Sequence, residues 1–434
     1  MATTVTSRSS GAWIRIAFAM FAVGWGANQF SPMLIVYRHE LRLSAGAVAG
    51  LFLVYALTLI PGLLVGGPAS DRFGRRPVVW PFVALSPLAT LLLVLGPRSL
   101  VMIALGRALA GLCSGVVFGA ATAWVQEVSP DDGMSARRSA LALTAGFGLG
   151  PVVAAALAQW ASDPLVVPYL PHLLIGAAAV VALARTPEGA AARRTVQRPA
   201  TPERRGARAS RRWPPAAVRT RRFWLAVAPA SPLVFGSVSL AIVVLPEEVT
   251  SVRSLSAGFA GLMTALSFSA GVAVQPLARR MRDMLTGSVA GLCCATAGAA
   301  IGIAAVAGPD RVVAGAAAVL LGLAYGLCLV SGLRQAEHLA NPDERGAVIA
   351  CYYALAYLGF AVPYLADGLG APVGKTGAFV ALTVIIAALT LWTAGYAASL
   401  RWADRDTEGD ALVSWPPGNR DPVSRKGKTP VRSD

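Results

Sequence analysis

Only 14% of the 434 residues are charged, so side chains able to do chemistry stand out where they interrupt apolar sequence. The densest such stretch is Gly67-Pro68-Ala69-Ser70-Asp71-Arg72-Phe73-Gly74-Arg75-Arg76-Pro77, with one carboxylate among three guanidinium groups. That carboxylate can pair with the neighbouring arginines or face the positive N-terminal end of a helix, which is the chemistry of an electrostatic latch. Arg107 lies well inside another apolar run. A guanidinium there needs a partner to offset its desolvation, either an anionic group in a substrate or coupling pathway or a set of backbone carbonyls. Asn28 and Gln29 place two adjacent carboxamides in a third run, and they too need hydrogen-bond partners. Covalent chemistry has no such foothold. His39, His172 and His338 are scattered, and Cys113, Cys293, Cys294, Cys328 and Cys351 sit in apolar runs without metal-ligand spacing. The adjacent acids of "SPDDGMS", 129–135, lack the spacing of a metal-binding transferase motif. Neither an enzyme nor a cofactor or metal is expected.

These residues are positioned by long apolar segments. The chain is 55% apolar with a mean hydropathy of +0.59, well outside the range of a soluble domain. About 20 apolar residues in a helix cross the hydrocarbon core of a bilayer. Twelve such segments are read, at 12–36, 45–67, 77–96, 99–126, 138–159, 167–184, 223–246, 257–278, 285–307, 311–336, 346–369 and 376–400. They fall six and six around 185–222, a stretch with twelve arginines, two glutamates, five prolines and no apolar face, the composition of a linker. The expected organisation is an N-terminal tail 1–11, a six-helix bundle 12–184, the arginine-rich linker 185–222, a second six-helix bundle 223–400 and a C-terminal tail 401–434. The first run is too long for a signal peptide and lacks a clean cleavage site, so it is expected to remain as a helix.

Alternate loops lie on the same side of a membrane. One set holds only Arg38, Arg42, Arg98, Arg253, Arg311 and Lys375, while the linker, the tails and the other loops hold most of the 38 basic residues. The positive-inside rule then places both termini and the linker in the cytoplasm. The net charge of +16 and the pI near 10.5 follow from topology and contact with anionic lipid, without nucleic acid.

The halves also echo each other. "GLCSG", 111–115, precedes Pro130-Asp131-Asp132, and "GLAYG", 322–326, precedes Pro342-Asp343-Glu344 at nearly the same interval. A weaker echo links the Gly67 stretch to "GVAVQPLARRMRD", 271–283. Parallel repeats of this kind place a substrate site between the halves near the bilayer midplane.

The Gly67–Pro77 stretch resembles the loop 2–3 signature of the major facilitator superfamily, G-x-x-x-D-R-x-G-R-R. Gly67 is expected to let the second helix approach a neighbour and Gly74 to permit the turn. Arg72, Arg75 and Arg76 are expected to hold the loop at the cytoplasmic surface. The resemblance implies a latch from Asp71 to the start of the eleventh helix, near Gly346, that closes the inner face. Arg107 followed by Gly111, Gly115 and Gly119 resembles the family's fourth-helix pattern. Gly146-Phe147-Gly148-Leu149-Gly150-Pro151-Val152-Val153-Ala154-Ala155 resembles in part the G-x-x-x-G-P-x-x-G-G string of its exporters, with alanines at the last two glycines and Arg137 at an earlier one. Export and ordinary small-residue packing are both open for Gly146, Gly150 and Pro151.

The resemblance implies an all-α polytopic protein of the cell membrane, with two pseudo-symmetric six-helix bundles around a central cavity. It would act as a monomer in the lipid bilayer on a small-molecule substrate, with protons as the coupling ion. Export of a small amphipathic organic molecule is the expected activity and import of a small organic solute the alternative; a membrane-embedded transferase or a sensor stands further off. In the cavity-lining helices of that family this chain offers Trp25, Asn28, Gln29, Trp124, Gln126, Ser237, Ser239, Phe268, Gln275, Tyr325, Tyr353 and Tyr357. That set is aromatic and sparsely charged. Glu127, Glu247, Glu248, Glu337 and Asp367 all lie at helix ends, with Glu337 spaced to pair with Arg334 and Glu127 placed to close a network with the loop arginines. Proton coupling therefore follows from the resemblance and not from a visible acid.

The topology has a direct test. With the native cysteines replaced, an impermeant thiol reagent on intact cells is expected to label a cysteine at Ser256 and not one at Ala207; the opposite pattern inverts the topology.

Overall fold

The computed structural model describes residues 11–129, 132–186, 214–249, 256–281, 283–341 and 344–413. The start of the N-terminal tail, most of the 185–222 linker, the end of the C-terminal tail, and Pro130-Asp131 and Pro342-Asp343 of the repeat lie outside the described residues. Among those described, the structure is helical without strands. The first half comprises α1 Ala12–Asn28, α2 Met33–Glu40, α3 Ala45–Phe73, α4 Arg75–Val94, α5 Leu100–Val128, α6 Asp132–Trp160 and α7 Leu170–Ala184. The second comprises α8 Phe223–Val249, α9 Ser256–Arg280, α10 Met284–Ala307, α11 Arg311–Leu339, α12 Arg345–Tyr357 and α13 Val362–Val413.

Ten runs are long and apolar enough to cross a membrane by length and composition, and the twelve-segment reading parts from that count at two places. The first segment is split. Pro32 has no N–H to give the Asn28 carbonyl, so the Ser31 N–H takes that carbonyl at 3.0 Å and the helix restarts at Met33. The last two segments run together from Gly346 to Leu400 and divide at Gly374, where φ is +76°, a left-handed value that glycine adopts without steric cost.

Glycine seams set the packing. Gly111 and Gly115 of α5 lie directly against the Tyr55 and Leu59 carbonyls of α3, and Gly322 and Gly326 of α11 lie in the same way against the Ser267 and Gly271 carbonyls of α9. The two repeat strings therefore perform the same task in both halves. Gly146 and Gly150 of α6 seat α1 at Phe21 and Trp25, which is the packing role left open beside export. Gly67 departs from expectation, since nothing lies within 4 Å of where its Cβ would stand. Gly62 and Gly66 make the close approach instead, to Leu112 and Val116. They share a face four residues apart, and Gly67 stands a further 100° around the helix.

Gly74 ends α3 and begins α4 in a single residue. Its φ of +100° requires glycine, and its N–H still reaches the Ser70 carbonyl at 3.1 Å.

The halves meet on the face opposite this loop. Phe52 and Tyr55 of α3 pack edge-on against Phe360, with ring centroids 4.9 and 5.9 Å apart. Both polar links between the halves found among the described residues are also there: an Arg38–Glu247 ion pair and the Gly258 N–H donating to Gln159 Oε1 at 3.0 Å. On the loop 2–3 face Asp71, Gln126 and Gly346 are exposed. The polar links described between the halves thus gather at the end away from loop 2–3.

Gly322→Val should lower the unfolding temperature measurably, because overpacking against the Ser267 backbone costs roughly 1–3 kcal/mol. Gly148→Ala, where nothing lies within 4 Å, should leave it unchanged or higher. Equal effects of the two substitutions would refute the seam.

Candidate functional site

Arg107 sits one turn before Gly111, on the stretch of α5 that the glycines bring hard against α3. Its side chain is 1% exposed. Nη1 donates to the Ala27 carbonyl at 3.1 Å and Nε to the Leu51 carbonyl at 3.3 Å. The Ala27 carbonyl is the one left over when Ser31 turns to Asn28 at the α1–α2 break. Rings of Phe30 and Tyr55 flank the guanidinium at 4.2 and 4.5 Å, with Phe52 at 5.9 Å. Of the two partners open in the sequence, backbone carbonyls are what the cation holds in this arrangement, supplemented by π-faces whose attraction strengthens when water is excluded.

The adjacent carboxamides diverge. Asn28 Nδ2 donates to the Phe147 carbonyl of α6 at 2.8 Å, and Gln29 Nε2 donates to Thr90 Oγ1 of α4 at 3.1 Å. Thr90 Oγ1 lies 2.7 Å from Nδ1 of His172 on α7, a fully buried ring that packs against Gly26. Tyr37 and Tyr169 join hydroxyls at 2.7 Å between α2 and the turn into α7. Here Asn28 and Gln29 bind the broken helix into its own half. His172 carried no signal in the sequence, where a single histidine in an apolar run has no recognisable partner.

An aromatic cluster joins the halves. Tyr55, already against Arg107, touches Phe360, and Phe360 lies 5.1 Å from Phe235 of α8. Phe235 stacks on Tyr357 at 4.5 Å and 11°, and lies 6.0 Å from Tyr325, which meets Phe268 at 5.6 Å. Tyr353 is half-buried, 6.3 Å from Tyr357. Gly359 abuts Pro232 and Gly236, which brings α8 close enough for this stacking. Tyr325, Tyr353 and Tyr357 thus come together, with Phe52, Tyr55, Phe235 and Phe360, which the sequence reading missed, beside them. Their signal was a pair of aromatics three residues apart on α3 and another at Tyr357 and Phe360, meaningful only once those segments are known to face each other. Trp25 is apart from the cluster, buried against Phe21 and Gly150, and its Nε1–H has no hydrogen-bond partner among the described residues. Gln126 is exposed near the end of α5.

At loop 2–3, Arg75 is the hub. It meets Asp71 Oδ1 at 2.7 Å, Glu127 Oε1 at 2.8 Å and Ser70 Oγ at 2.5 Å. Arg76 Nη2 donates to the Ala184 carbonyl at 2.6 Å, and Arg72 lies over Phe73 at 5.1 Å. The Glu127 network is formed. Asp71 pairs with Arg75, and Gly346 at the start of α12 is exposed, so the expected latch contact is not made in this arrangement. The pairing expected of Arg334 with Glu337 also gives way: Arg334 Nη1 donates to the Ala278, Arg279 and Met281 carbonyls at 3.1–3.3 Å, capping α9 where its dipole favours a cation.

Arg107→Ala leaves the Ala27 and Leu51 carbonyls without this donor and should cost roughly 3 kcal/mol of stability, read as a lower unfolding temperature in detergent. Arg107→Lys, which keeps charge but loses the planar fork, should fall between. An alanine variant as stable as the wild type would exclude this capping role.

Residues 16–364 match the sequence profile of the Major Facilitator Superfamily. No curated protein matches the chain. Among solved structures, a peptide transporter POT mutant in complex with alafosfalin superposes with a TM-score of 0.73 at 14% identity, over 90% of this chain and 94% of that one. A POT family transporter in complex with 5-aminolevulinic acid gives 0.70 at 12% identity, over 87% and 94%. The nucleoside transporter NupG, also as a mutant, gives 0.68 at 9% identity, over 88% and 99%. Identities this low speak for the fold, but the profile match spans most of the sequence, and with it the chain belongs to the major facilitator superfamily: an all-α, multi-pass membrane transporter and not an enzyme.

Proposed function

We propose that this transporter is a proton-coupled exporter of a small amphipathic organic molecule, working by alternating access in the cell membrane as a monomer of twelve spans. The observation that carries the substrate class is the cluster of Tyr55, Phe235, Tyr325, Tyr357 and Phe360, which is shared by both halves and contains no acid. Aromatic faces contribute large apolar contact with little directional demand, which suits a partly apolar solute better than a sugar or a phosphate. Trp25 adds an indole N–H that is free to donate. In this reading the halves 12–184 and 223–400 rock about the cluster while the 185–222 linker and both termini stay in the cytoplasm. Asp71 engages the start of α12 when the loop 2–3 face shuts, and Arg38 and Glu247 part when the opposite face opens. Proton coupling comes from the family alone. Import of a small organic solute is the second reading, since Gly146 and Gly150 are taken up in packing against α1 and argue for neither direction.

Accumulation of a fluorescent amphiphile tests both. Cells producing the protein should retain several-fold less dye than control cells, and a protonophore should abolish the difference. Asp71→Asn, at equal abundance, should restore most of the retention. Higher accumulation in producing cells selects import, and equal accumulation removes this substrate class.

A further inference from the structure

On the face opposite loop 2–3, a pocket of about 350 Å³ is lined by Arg38, His39, Arg42, Glu247 and Lys375 among others. Three of the six basic residues assigned to that side of the chain, Arg38, Arg42 and Lys375, meet in it. They come from opposite halves, Arg38 from the last turn of α2, Arg42 from just beyond it and Lys375 from just after the Gly374 break in α13.

Local preferences explain only part of this gathering. Arg38 and His39 occupy the last turn of α2, where the helix dipole favours cations. Arg42 follows the C-cap residue Leu41 with φ of +53°, a left-handed position that glycine ordinarily fills and that opposes a bulky side chain. Lys375 follows Gly374 at the N-terminal end of a helix, where the dipole opposes a cation. Glu247 and Glu248 stand at the C-terminal end of α8, where it opposes acids. Arg42, Lys375 and Glu247 line the pocket against local preference, and Glu248 holds Lys375 from beside it, a pattern that points to a functional constraint and not a folding one.

The pairing leaves a remainder. Arg38 pairs with Glu247 across the halves, Lys375 pairs with Glu248 at 2.5 Å, and Glu40 at the end of α2 is already partnered. Arg42 has no ion pair among the described residues. The pocket therefore holds an uncommitted guanidinium beside another whose acid could be exchanged. We propose that it binds one anionic group, a carboxylate or phosphate, between Arg42 and Arg38, and that binding draws Arg38 away from Glu247 and loosens the contact between the halves. Two planar forks can each make paired hydrogen bonds to such a group. The site is separate from the aromatic cluster and is independent of the direction of transport. Its occupant is either a dissolved solute or an anionic lipid headgroup.

The full-length protein in phosphatidylcholine nanodiscs can be unfolded thermally, followed by tryptophan fluorescence, while inorganic phosphate is titrated at constant ionic strength. The wild type should show a rise of about 2 °C at ten times the half-saturating concentration, climbing with the logarithm of phosphate beyond it. Arg42→Gln should abolish it. Arg42→Gly should raise the starting temperature by relieving the backbone and still abolish the response, which separates binding from stability. Glu247→Gln should lower the half-saturating concentration several-fold. If the occupant is a headgroup, phosphate is silent and the rise appears instead when phosphatidylglycerol replaces phosphatidylcholine, again lost in Arg42→Gln. No rise with either probe, or equal rises in wild type and both Arg42 variants, overturns the site. An unchanged half-saturation in Glu247→Gln overturns its coupling to the contact between the halves.

Discussion

The Arg107 guanidinium carries a full charge into a place where it meets carbonyls and rings and, among the described residues, no carboxylate. Much of the first half is arranged around that fact. The charge is tolerable because α1 breaks and frees the Ala27 carbonyl, because α3 offers the Leu51 carbonyl, and because Phe30 and Tyr55 present their faces. The dependence also runs the other way. A helix broken inside hydrocarbon leaves a polar backbone group that must find a donor, and Arg107 is that donor. The close seam between α3 and α5 brings them together, so Gly111 and Gly115 serve the charge as much as the packing.

The second half breaks its first helix by a different device. Pro229 and Pro232 interrupt α8, and the loosened Val227 carbonyl is taken by the Ser231 hydroxyl four residues on, at 2.7 Å. No cation is needed. Aligning the two repeat strings puts Ala318 opposite Arg107, so the seams are symmetric while the electrostatics are not. The two halves share a scaffold, and only one has a charge built into its centre.

What was legible in the sequence follows from the range of the forces involved. Apolar segment length and the repeated glycine strings are local, and they led to the helices and to the equivalence of α5 and α11, while their partners α3 and α9 came only with the fold. The turn at Gly74 was legible because a left-handed residue between two helices leaves few choices. Gly67 was misread because the signature fixes its position along the chain but not its face, and a step of one residue turns it away from α5. Adjacency along the chain set no direction for Asn28 and Gln29, and their side-chain hydrogen bonds run to α6 and α4. Tyr55 and Phe360 were invisible as partners because they lie in different halves, brought together only by the assembled fold. Asp71 pairs with Arg75 four residues on, and the sequence alone does not choose between that neighbour and the start of α12.

α8 has two π-helical turns, Phe223–Val227 and Leu240–Val244, on either side of Phe235. Each π turn accommodates one residue beyond the α-helical repeat, so it acts as a phase offset between the side chains before and after it. Relaxing the second turn to α geometry would rotate everything beyond it by about 100° relative to Phe235, with the helix still continuous. Glu247 lies beyond that turn and Phe235 before it. Phe235 in the aromatic cluster and Glu247 in its ion pair with Arg38 are thus held in phase by that single π turn.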